Sequence, residues 1–599
     1  MSPPPRQRIH QKPSDVKKAL KDLISLLKTY KLKLIIVVVC SIISTAFNVI
    51  GPILIGKATT VIYNGVMQHL NGKGTINFDI LYYLLGLAVL LYIISAVFSY
   101  LQSWLLVDIS TEISYDLREK LIIKLTSMSI GDLDSEKRGD ILSRITNDVD
   151  SIQIGIAQTF DRLVTAIVTI VGVFIMMMSI NVWMTLANLA LIPISFLLIR
   201  LVTNKSQKYF KLRLNYKGSL NAHIEESFTG HDIVRVYNNE EKAIETFKET
   251  NEKWYENEWK SQFYSSLTEP VMNFISNLAY VVIAVLGGIF VLEGAIAVGD
   301  ILAFFQYVKN FTQPIQQITK IMDMLQTAMA ATERVFEFLN HKDEDETGVI
   351  EINEFKDEIR FENVEFAYGD EKIIDNISFT LKKGEKLAII GKTGAGKTTI
   401  VKLLMRFYDV DSGKITIDGK NINKYSKESL RSMIGMVLQD AWLFSDTIEE
   451  NIRYGKLDAE DEEVRKVAKE VNADEFIRQL PDSYKSELNE DTDNISHGQK
   501  QLLTIGRSIL ANREILILDE ATSSVDTRTE QLIQKAMDQL MESKTSIVIA
   551  HRLSTIKNAD NIIVIENGKI IEEGSHEELL SKKGYYYTTL NSQEKEEDY

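Results

Sequence analysis

The stretch GKTGAGKT, Gly391–Thr398, decides the fold of the second half of this chain. The apolar run Lys386–Ile390 before it has the length of a buried strand, and Thr399–Met405 after it has a helical pattern. A strand, the spacing Gly-x-x-x-x-Gly-Lys-Thr and a helix together are typical of a phosphate-binding loop. Backbone N–H groups and the start of the helix favour an anion there, so the sequence predicts binding of a nucleoside triphosphate.

The loop also supplies side chains for the phosphates and their metal ion. Lys397 would reach the β- and γ-phosphates, and the Thr398 hydroxyl would help to hold Mg²⁺. We therefore predict ATP and Mg²⁺ as the ligands. The predicted nucleotide-binding residues in this part of the chain are Gly391, Thr393, Gly394, Ala395, Gly396, Lys397, Thr398 and Thr399.

Composition narrows the class of protein. The chain has 599 residues, which is too many for one hydrophobic core and predicts two or more domains. Its net charge of −15 and the lack of a basic stripe interleaved with aromatics argue against a nucleic-acid partner. The single cysteine, Cys40, lies in an apolar run, which excludes a disulfide framework and a cysteine metal site.

Apolar stretches long enough to cross a bilayer are concentrated before residue 330. They predict six transmembrane helices and a protein that resides in the cell membrane among its lipids. The last stretch is the weakest, because it contains Lys309 and several glutamines. The predicted spans are 34–61, 80–107, 163–180, 182–202, 271–292 and 301–324.

Lysine and arginine indicate the orientation of the spans. The N-terminal segment and the segments 109–160 and 203–265 are rich in both, whereas the turns 179–181 and 294–300 have neither. Basic loops stay in the cytoplasm, so the N-terminus, the two long loops and everything after residue 330 are predicted there. No cleavable signal peptide is visible.

The two long cytoplasmic segments keep helical spacing almost without glycine or proline. We expect the spans to continue as helical arms that turn near Asp132–Gly139 and near Phe228–Asp232. Such arms could simply be solvated. We favour contact between their tips and the nucleotide-binding domain, because the arms have little other reason to exist, with one tip reaching the partner subunit.

An acidic stretch separates the two halves. We assign residues 1–330 to an α-helical six-span transmembrane domain, 331–355 to an exposed linker, and 356–599 to an α/β nucleotide-binding domain with a helical subdomain. In this second domain the buried strands 515–518 and 546–550 end at Asp519-Glu520 and at His551. Ligands of such sheets gather at the carboxyl ends of strands, so these residues should converge with the phosphate loop.

These motifs, in this order behind six spans, resemble a half-transporter of the exporter type from the ATP-binding cassette (ABC) family. The resemblance covers about residues 20–590. Tyr368 matches the aromatic that stacks on adenine, and Gln439 matches the glutamine loop that touches Mg²⁺ or the attacking water. The other matching motifs are the signature Ile495–Gln499, the acidic pair Asp519-Glu520, the dimer-contact loop Ser523–Asp526 and the switch histidine His551.

The resemblance implies a role for each residue in ATP hydrolysis. Transfer of the γ-phosphoryl group to water needs neutralised charge and an aligned nucleophile rather than covalent chemistry. Asp519 would hold Mg²⁺ together with Thr398 and Gln439. Glu520 would act as the general base, and His551 would contact the γ-phosphate and help to align the water.

The signature implies a dimer. Ser496 is placed to cap a helix that runs from Gly498 to Leu510, whose amino end would bind the γ-phosphate of the partner's nucleotide through Ser496, Gly498 and Gln499. His497 departs from the family pattern, which has glycine there. A heterodimer with a second half-transporter would confine this altered signature to one of two ATP sites, and we favour it. A homodimer that tolerates the change stays open.

We therefore expect an ATPase that exports a small amphipathic substrate, drug-like or lipid, by alternating access. A lipid flippase and a peptide exporter are open alternatives, as is an ATP-gated regulator or channel on the same scaffold. Asp161, near the third span, is an ionisable group close to membrane depth. It would either line the pathway and favour cationic substrates or lie at the membrane interface.

Overall fold

The computed structural model describes residues 15–72, 74–344, 348–438, 441–489, 494–519, 527–549 and 556–590. The chain divides into two compact units. The first consists of Met1–Ser127 and Glu136–His341, and the second of Met128–Ser135 and Lys342–Tyr599.

The first unit is helical. Its helices are long because apolar spans continue directly into polar helical segments without a glycine or proline to end them, as the sequence predicted. In the first unit they are α1 Val16–Leu27, α2 Lys31–Leu70, α3 Phe78–Ser127, α5 Arg138–Ser143, α6 Val149–Ile180, α7 Val182–Thr229, α8 His231–Val236, α9 Glu240–Ser266, α10 Thr268–Leu292 and α11 Val298–Leu339, while the short α4, Ile130–Ser135, belongs to the second unit.

Five helical stretches of the described chain are long and apolar enough to span a membrane: Val16–Leu70, Phe78–Ser127, Arg138–Ile180, Val182–Thr229 and Glu240–Leu292. The sixth predicted span lies within α11, which is helical but is not among these five. Helix α11 packs against α2, α6 and α10, and its Phe304, Tyr307 and Val308 are fully buried. A helix covered by its neighbours needs less apolar surface toward lipid.

Small residues bring α11 close to α2. A Cβ atom added to Gly299 would lie 1.7 Å from the carbonyl oxygen of Gly56 on α2. Close approach through small residues is how helices associate inside membranes, where lipid is as apolar as the side chains.

The predicted linker 331–355 is wrong in its first part. Residues up to Leu339 continue helix α11, and Ala331, Val335 and Phe338 are fully buried. Apolar residues at this helical spacing pack on the first unit, so the boundary between the units falls after His341. At the other end of the stretch, Phe355 is buried in the core of the second unit rather than exposed.

The second unit contains two sheets. The antiparallel sheet has the order β2-β1-β4-β5, and the six-stranded sheet has the order β10-β9-β3-β8-β7-β6. The strands are β1 Glu358–Tyr368, β2 Glu371–Lys382, β3 Lys386–Gly391, β4 Ser412–Ile417, β5 Lys420–Asn421, β6 Ile434–Val437, β7 Ile515–Asp519, β8 Thr545–Ile549, β9 Asn561–Glu566 and β10 Lys569–Gly574.

Helices pack on these sheets. Fully buried isoleucines, leucines and valines of β3, β7 and β8 contribute to hydrophobic clusters with the surrounding helices, which explains why these strands read as continuous apolar runs. The helices are α12 Lys397–Leu404, α13 Lys427–Ser432, α14 Ile448–Arg453, α15 Asp461–Glu470, α16 Asp474–Gln479, α17 His497–Ala511, α18 Thr527–Met541 and α19 His576–Lys582.

Candidate ATP site

The phosphate loop connects strand β3 to helix α12, as predicted. Gly394 and Gly396 have φ angles of 85° and 101°, which residues with a side chain rarely adopt. Gly396 is the N-cap of α12, and no side chain bonds to the first amides of this helix. The loop therefore offers backbone N–H groups of its own chain to an anion, which fits a bound phosphate.

The Lys397 side chain folds back into this loop. Its Nζ atom donates to the carbonyl oxygens of Gly391 at 2.6 Å and of Lys392 at 3.1 Å. Burial lowers the pKa of Lys397, and the charge of Asp519 opposes that effect. The ammonium group is thus held in a partly dehydrated position, where an incoming phosphate would meet strong attraction.

The predicted convergence of strand ends is present in the backbone. Strands β3, β8, β7 and β6 are parallel neighbours, with Ile549 of β8 paired to Ile389 and to Asp519. Asp519 ends β7 at the same edge as the phosphate loop. Gln439, Glu520 and His551 lie outside the described residues, as does the predicted loop Ser523–Asp526, but the first three follow the ends of β6, β7 and β8 by one or two residues.

The other predicted loop residues lie in the same connection. Thr393 is exposed, Ala395 is buried, and Thr398 and Thr399 stand in the first turn of α12, where Thr398 is exposed and Thr399 is buried. Thr398 is therefore accessible to a metal ion at the amino end of the helix. No cluster of three His, Cys, Asp or Glu side chains forms a metal site among the described residues, so Mg²⁺ would be held largely by single side chains and by the phosphates.

Tyr368 ends strand β1 and belongs to an aromatic group. Its ring centroid lies 4.9 Å from that of Phe366 and 5.1 Å from that of Tyr408, both edge to face. Lys402 Nζ lies 5.9 Å from the centroid of the Tyr368 ring. These contacts fix the orientation of the ring, which a residue that stacks on adenine requires.

The segment Met128–Ser135 belongs to this same unit and contacts the aromatic group. The Tyr408 hydroxyl donates to Asp134 Oδ2 at 2.9 Å, and Lys402 Nζ donates to the same oxygen at 3.0 Å. Burial and the Asp134 carboxylate together raise the pKa of Tyr408. The predicted contact of the first turn with the nucleotide-binding unit is therefore present through Asp134.

Sequence reasoning missed Tyr408 and Lys402. The available signals were a lysine inside the phosphate-loop helix and an aromatic residue that follows this helix by only a few residues. Asp232, in the second predicted turn, is exposed.

The signature segment forms the start of α17. Ser496 is the N-cap, its Oγ accepts from the Gln499 N–H at 3.3 Å, and Gln499 Oε1 accepts from the Ser496 N–H at 2.8 Å. The predicted cap is confirmed, although the helix begins at His497 rather than Gly498. His497 is exposed and has an ordinary helical backbone, so a side chain fits at this position without strain, while Gly498 is buried.

Comparison with known proteins agrees with the family that the sequence motifs resemble. Residues 34–315 match the family described as ABC transporter transmembrane region, and residues 374–523 match the family described as ABC transporter. The chain belongs to the ABC transporter family. It is a half-transporter of the exporter type that dimerises in the membrane and couples hydrolysis of ATP, bound with Mg²⁺, to transport.

Relatives match along nearly the whole chain. The "Fatty acid ABC transporter ATP-binding/permease protein" of Mycobacterium bovis is 39% identical over 619 residues, covering 98% of this chain and 97% of its own. The "Putative multidrug export ATP-binding/permease protein YgaD" of Bacillus subtilis is 33% identical and covers 95% and 98% of the two chains. The "ATP-dependent lipid A-core flippase" of Syntrophus aciditrophicus is 34% identical and covers 85% of each.

Proposed function

We propose that this exporter moves an amphipathic molecule with an acyl chain, and that hydrolysis takes place at the phosphate loop of this chain. The observation that supports hydrolysis here is Lys397, held inside the loop at the strand edge where Asp519 ends β7. The acyl substrate is supported by relatives whose names refer to a fatty acid and to lipid A-core.

In this proposal the roles divide along the strand edge. Lys397 and Mg²⁺, held by Thr398, Asp519 and Gln439, neutralise the phosphates. Glu520 accepts a proton from the attacking water or aligns it, and His551 helps to hold that water. Tyr368 stacks on adenine and orients the nucleotide. Ser496, Gly498 and Gln499 serve the nucleotide bound to the partner.

The Asp134 contact would carry nucleotide binding to the membrane helices. Tyr408 contacts both Tyr368 and Asp134. A shift of the adenine-stacking ring would therefore displace Tyr408 and, through it, the segment Met128–Ser135. Tyr408→Phe removes only the hydroxyl donor. We expect basal ATPase activity to stay within about twofold, because the phenylalanine ring still packs against Tyr368. Stimulation by substrate should be lost, because the bond to Asp134 is missing.

We further propose a heterodimer with one competent and one impaired ATP site. The support is the intact phosphate loop of this chain beside a signature that contains His497. The test is purification of this chain with its untagged partner, followed by mass determination. A dimer of this chain alone that hydrolyses ATP at both sites would contradict the proposal.

Transport in vesicles tests the substrate. A matched pair of amphiphiles with one acyl chain length, one ending in a carboxylate and one in trimethylammonium, separates head group from chain. A pump accumulates its substrate against a gradient, whereas an ATP-gated channel cannot. No accumulation of either amphiphile would overturn the acyl substrate, and accumulation of a peptide instead would favour the peptide exporter.

Asp161 provides the head-group arm of that assay. Gln102 Nε2 donates to Asp161 Oδ1 at 2.6 Å, and Gln102 is buried between the helices. Asp161→Asn keeps the shape and removes the charge. The assay for this variant adds a neutral amphiphile of the same acyl chain length. If Asp161 faces the pathway, transport of the cationic amphiphile falls more than that of the neutral one. An equal loss for both would assign Asp161 to packing of α3 against α6.

A further inference from the structure

The residues that follow α11 contact the nucleotide-binding unit through a charged side chain. Residues 342–344 belong to that unit, and the acidic composition of this stretch predicted exposure. The Glu344 side chain is only 20% exposed, however, because Lys427 and Arg431 of α13 hold it. We call these three side chains the linker clamp.

Arg431 binds the Glu344 carboxylate with two hydrogen bonds. Its Nη1 atom donates to Oε2 at 3.0 Å and its Nη2 atom donates to Oε1 at 2.7 Å, while Lys427 Nζ lies 3.2 Å from Oε1. Burial opposes ionisation of Glu344, but the two basic side chains outweigh burial and lower the pKa of the carboxyl. A bidentate pair of this kind fixes orientation as well as distance. The linker is therefore held at one defined point of the unit.

The same guanidinium group holds the turn that follows the phosphate-loop helix α12. Nε of Arg431 donates to the Met405 carbonyl oxygen at 3.1 Å, and Nη2 donates to that of Arg406 at 3.1 Å. Its central carbon lies 5.0 Å from the centroid of the Phe407 ring, which is within the range of a cation–π contact. Arg431 thus connects the linker carboxylate to three consecutive residues of this turn.

The turn leads directly to the aromatic group of the ATP site. Tyr408 is the next residue, and its ring lies edge to face against Tyr368 at 5.1 Å and against Phe366 at 5.4 Å. Arg406 is buried and donates to the Tyr425 carbonyl oxygen at 3.2 Å, which anchors the turn to a second part of the unit. A displacement of the turn would therefore move the Tyr408 ring and, with it, the Tyr368 ring.

The segment that contains Asp134 meets the linker at the same place. Met128 forms an antiparallel backbone bridge with Asp343, and a Cβ atom added to Gly131 would lie 2.9 Å from the Tyr408 ring. The clamp is nevertheless separate from the Asp134 hydrogen bond, because it holds the backbone before Tyr408 and not the Tyr408 hydroxyl. Two elements that continue from the membrane helices thus converge on one aromatic side chain.

We propose that the linker clamp orients the adenine-stacking ring and thereby lets the linker regulate the affinity of this site for ATP. The linker continues α11, so a movement of α11 would loosen or tighten the clamp. Coupling between binding events is reciprocal, and a bound nucleotide would hold the linker in return. This regulation rests on the proposed stacking of Tyr368 on adenine. Arg431 is a positioning residue that acts through Tyr408.

A ligand with an adenine ring and a ligand without one separate this role from a general effect. The full-length dimer with Mg²⁺ is titrated calorimetrically with a non-hydrolysable ATP analogue and, in parallel, with tripolyphosphate, which has phosphates but no base. For Glu344→Ala we expect affinity for the analogue to fall about tenfold, within the usual range of coupling between sites. Affinity for tripolyphosphate should stay within about twofold, because Lys397 and its loop are not part of the clamp.

Further variants test whether the clamp acts as one unit. Arg431→Lys keeps the charge but not the planar fork, so it should reproduce the loss of affinity for the analogue. The double variant Glu344→Ala/Arg431→Lys should lose no more than the greater of the two single losses, because both changes break one contact. Glu351→Ala is the matched control, since it removes the same charge from an exposed position of the same stretch and should change neither affinity.

Amide hydrogen exchange measures the reciprocal effect. In the unchanged protein, the bound analogue should slow exchange of residues 342–344 by at least about threefold, whereas tripolyphosphate should not. In Glu344→Ala the analogue should no longer protect these residues. Equal exchange with and without the analogue in the unchanged protein would overturn the proposed regulation.

Tyr368→Ala separates the clamp from the proposed stacking. If Tyr368→Ala weakens binding of the analogue but Glu344→Ala does not, the clamp has no part in regulation and the stacking role stands. If Tyr368→Ala leaves the affinity unchanged, the stacking role is wrong, and regulation through it fails as well. Equal losses of affinity for the analogue and for tripolyphosphate in Glu344→Ala would indicate a general loss of structure and would also overturn the proposal.

Discussion

Helices α12 and α17 both begin at a loop that is predicted to face phosphate, yet their first turns are built differently. The amino end of α12 has Gly396 as its cap, and no side chain bonds to its amides. The amino end of α17 is closed by its own side chains, because Ser496 and Gln499 bond to each other's backbone N–H groups. The amino end of α12 is open to a nucleotide bound by the same chain, whereas the amino end of α17 is stable without a ligand.

This difference fits a division of labour in the dimer. The phosphate loop has no internal substitute for the anion, so nucleotide binding should depend on it strongly. The signature helix needs the partner's nucleotide only when the two domains close. Substitutions in the phosphate loop should therefore reduce activity more than substitutions in the signature.

Lys397→Ala should have the largest effect. Its ammonium group is held in the loop by two carbonyl oxygens, whereas the other lysine of the loop, Lys392, lies 3.9 Å from Glu566. We expect nucleotide affinity and ATPase turnover both to fall by at least about 100-fold. Binding of a fluorescent ATP analogue and phosphate release measure the two losses. Lys414→Ala, at an exposed strand position, is the control and should change neither.

Glu520→Gln should separate binding from chemistry. The amide keeps the size of the side chain but cannot accept the proton of the attacking water. We expect turnover of the whole complex to fall about 100-fold or more, with ATP affinity within about threefold of the unchanged protein. Half of the turnover surviving would instead indicate that the partner's own phosphate-loop site also hydrolyses ATP, and loss of ATP affinity would assign Glu520 to binding.

Ser496→Ala tests the signature in the asymmetric dimer. Removing the cap should lower the free energy of unfolding by about 1 kcal/mol, as measured by thermal denaturation. Turnover should stay within about threefold, because in the proposed heterodimer this signature serves the impaired site. Ser575→Ala is a matched control, since Ser575 and Glu578 form the same kind of capping box on α19. A tenfold loss of turnover in Ser496→Ala alone would support the homodimer.

His497→Gly should have the smallest effect. The position is exposed and has a helical backbone, so glycine relieves no strain and costs the helix a few tenths of a kcal/mol. We expect turnover to change by less than about twofold. A tenfold gain would mean that the histidine side chain itself blocks a phosphate. That result would contradict the proposal that this signature serves an already impaired site.

The sequence by itself determined the local elements. The glycine spacing of the phosphate loop, the serine cap of α17 and the apolar strands β3, β7 and β8 are each encoded within a few neighbouring residues, and the structure forms all of them. The long arms could be predicted for the same reason, since helical spacing continues without a residue that ends a helix.

Only the tertiary structure decided what packs against what. Asp134 and Tyr408 are 274 positions apart in sequence and form a hydrogen bond, and the sequence around neither residue predicts this contact. Helix α11 continues past residue 331 because Val335 and Phe338 are buried by helices distant in sequence. The acidic residues that follow favoured the wrong prediction of an exposed linker there. Local geometry follows from short-range sterics and hydrogen bonds, whereas these contacts depend on which surfaces the folded chain brings together.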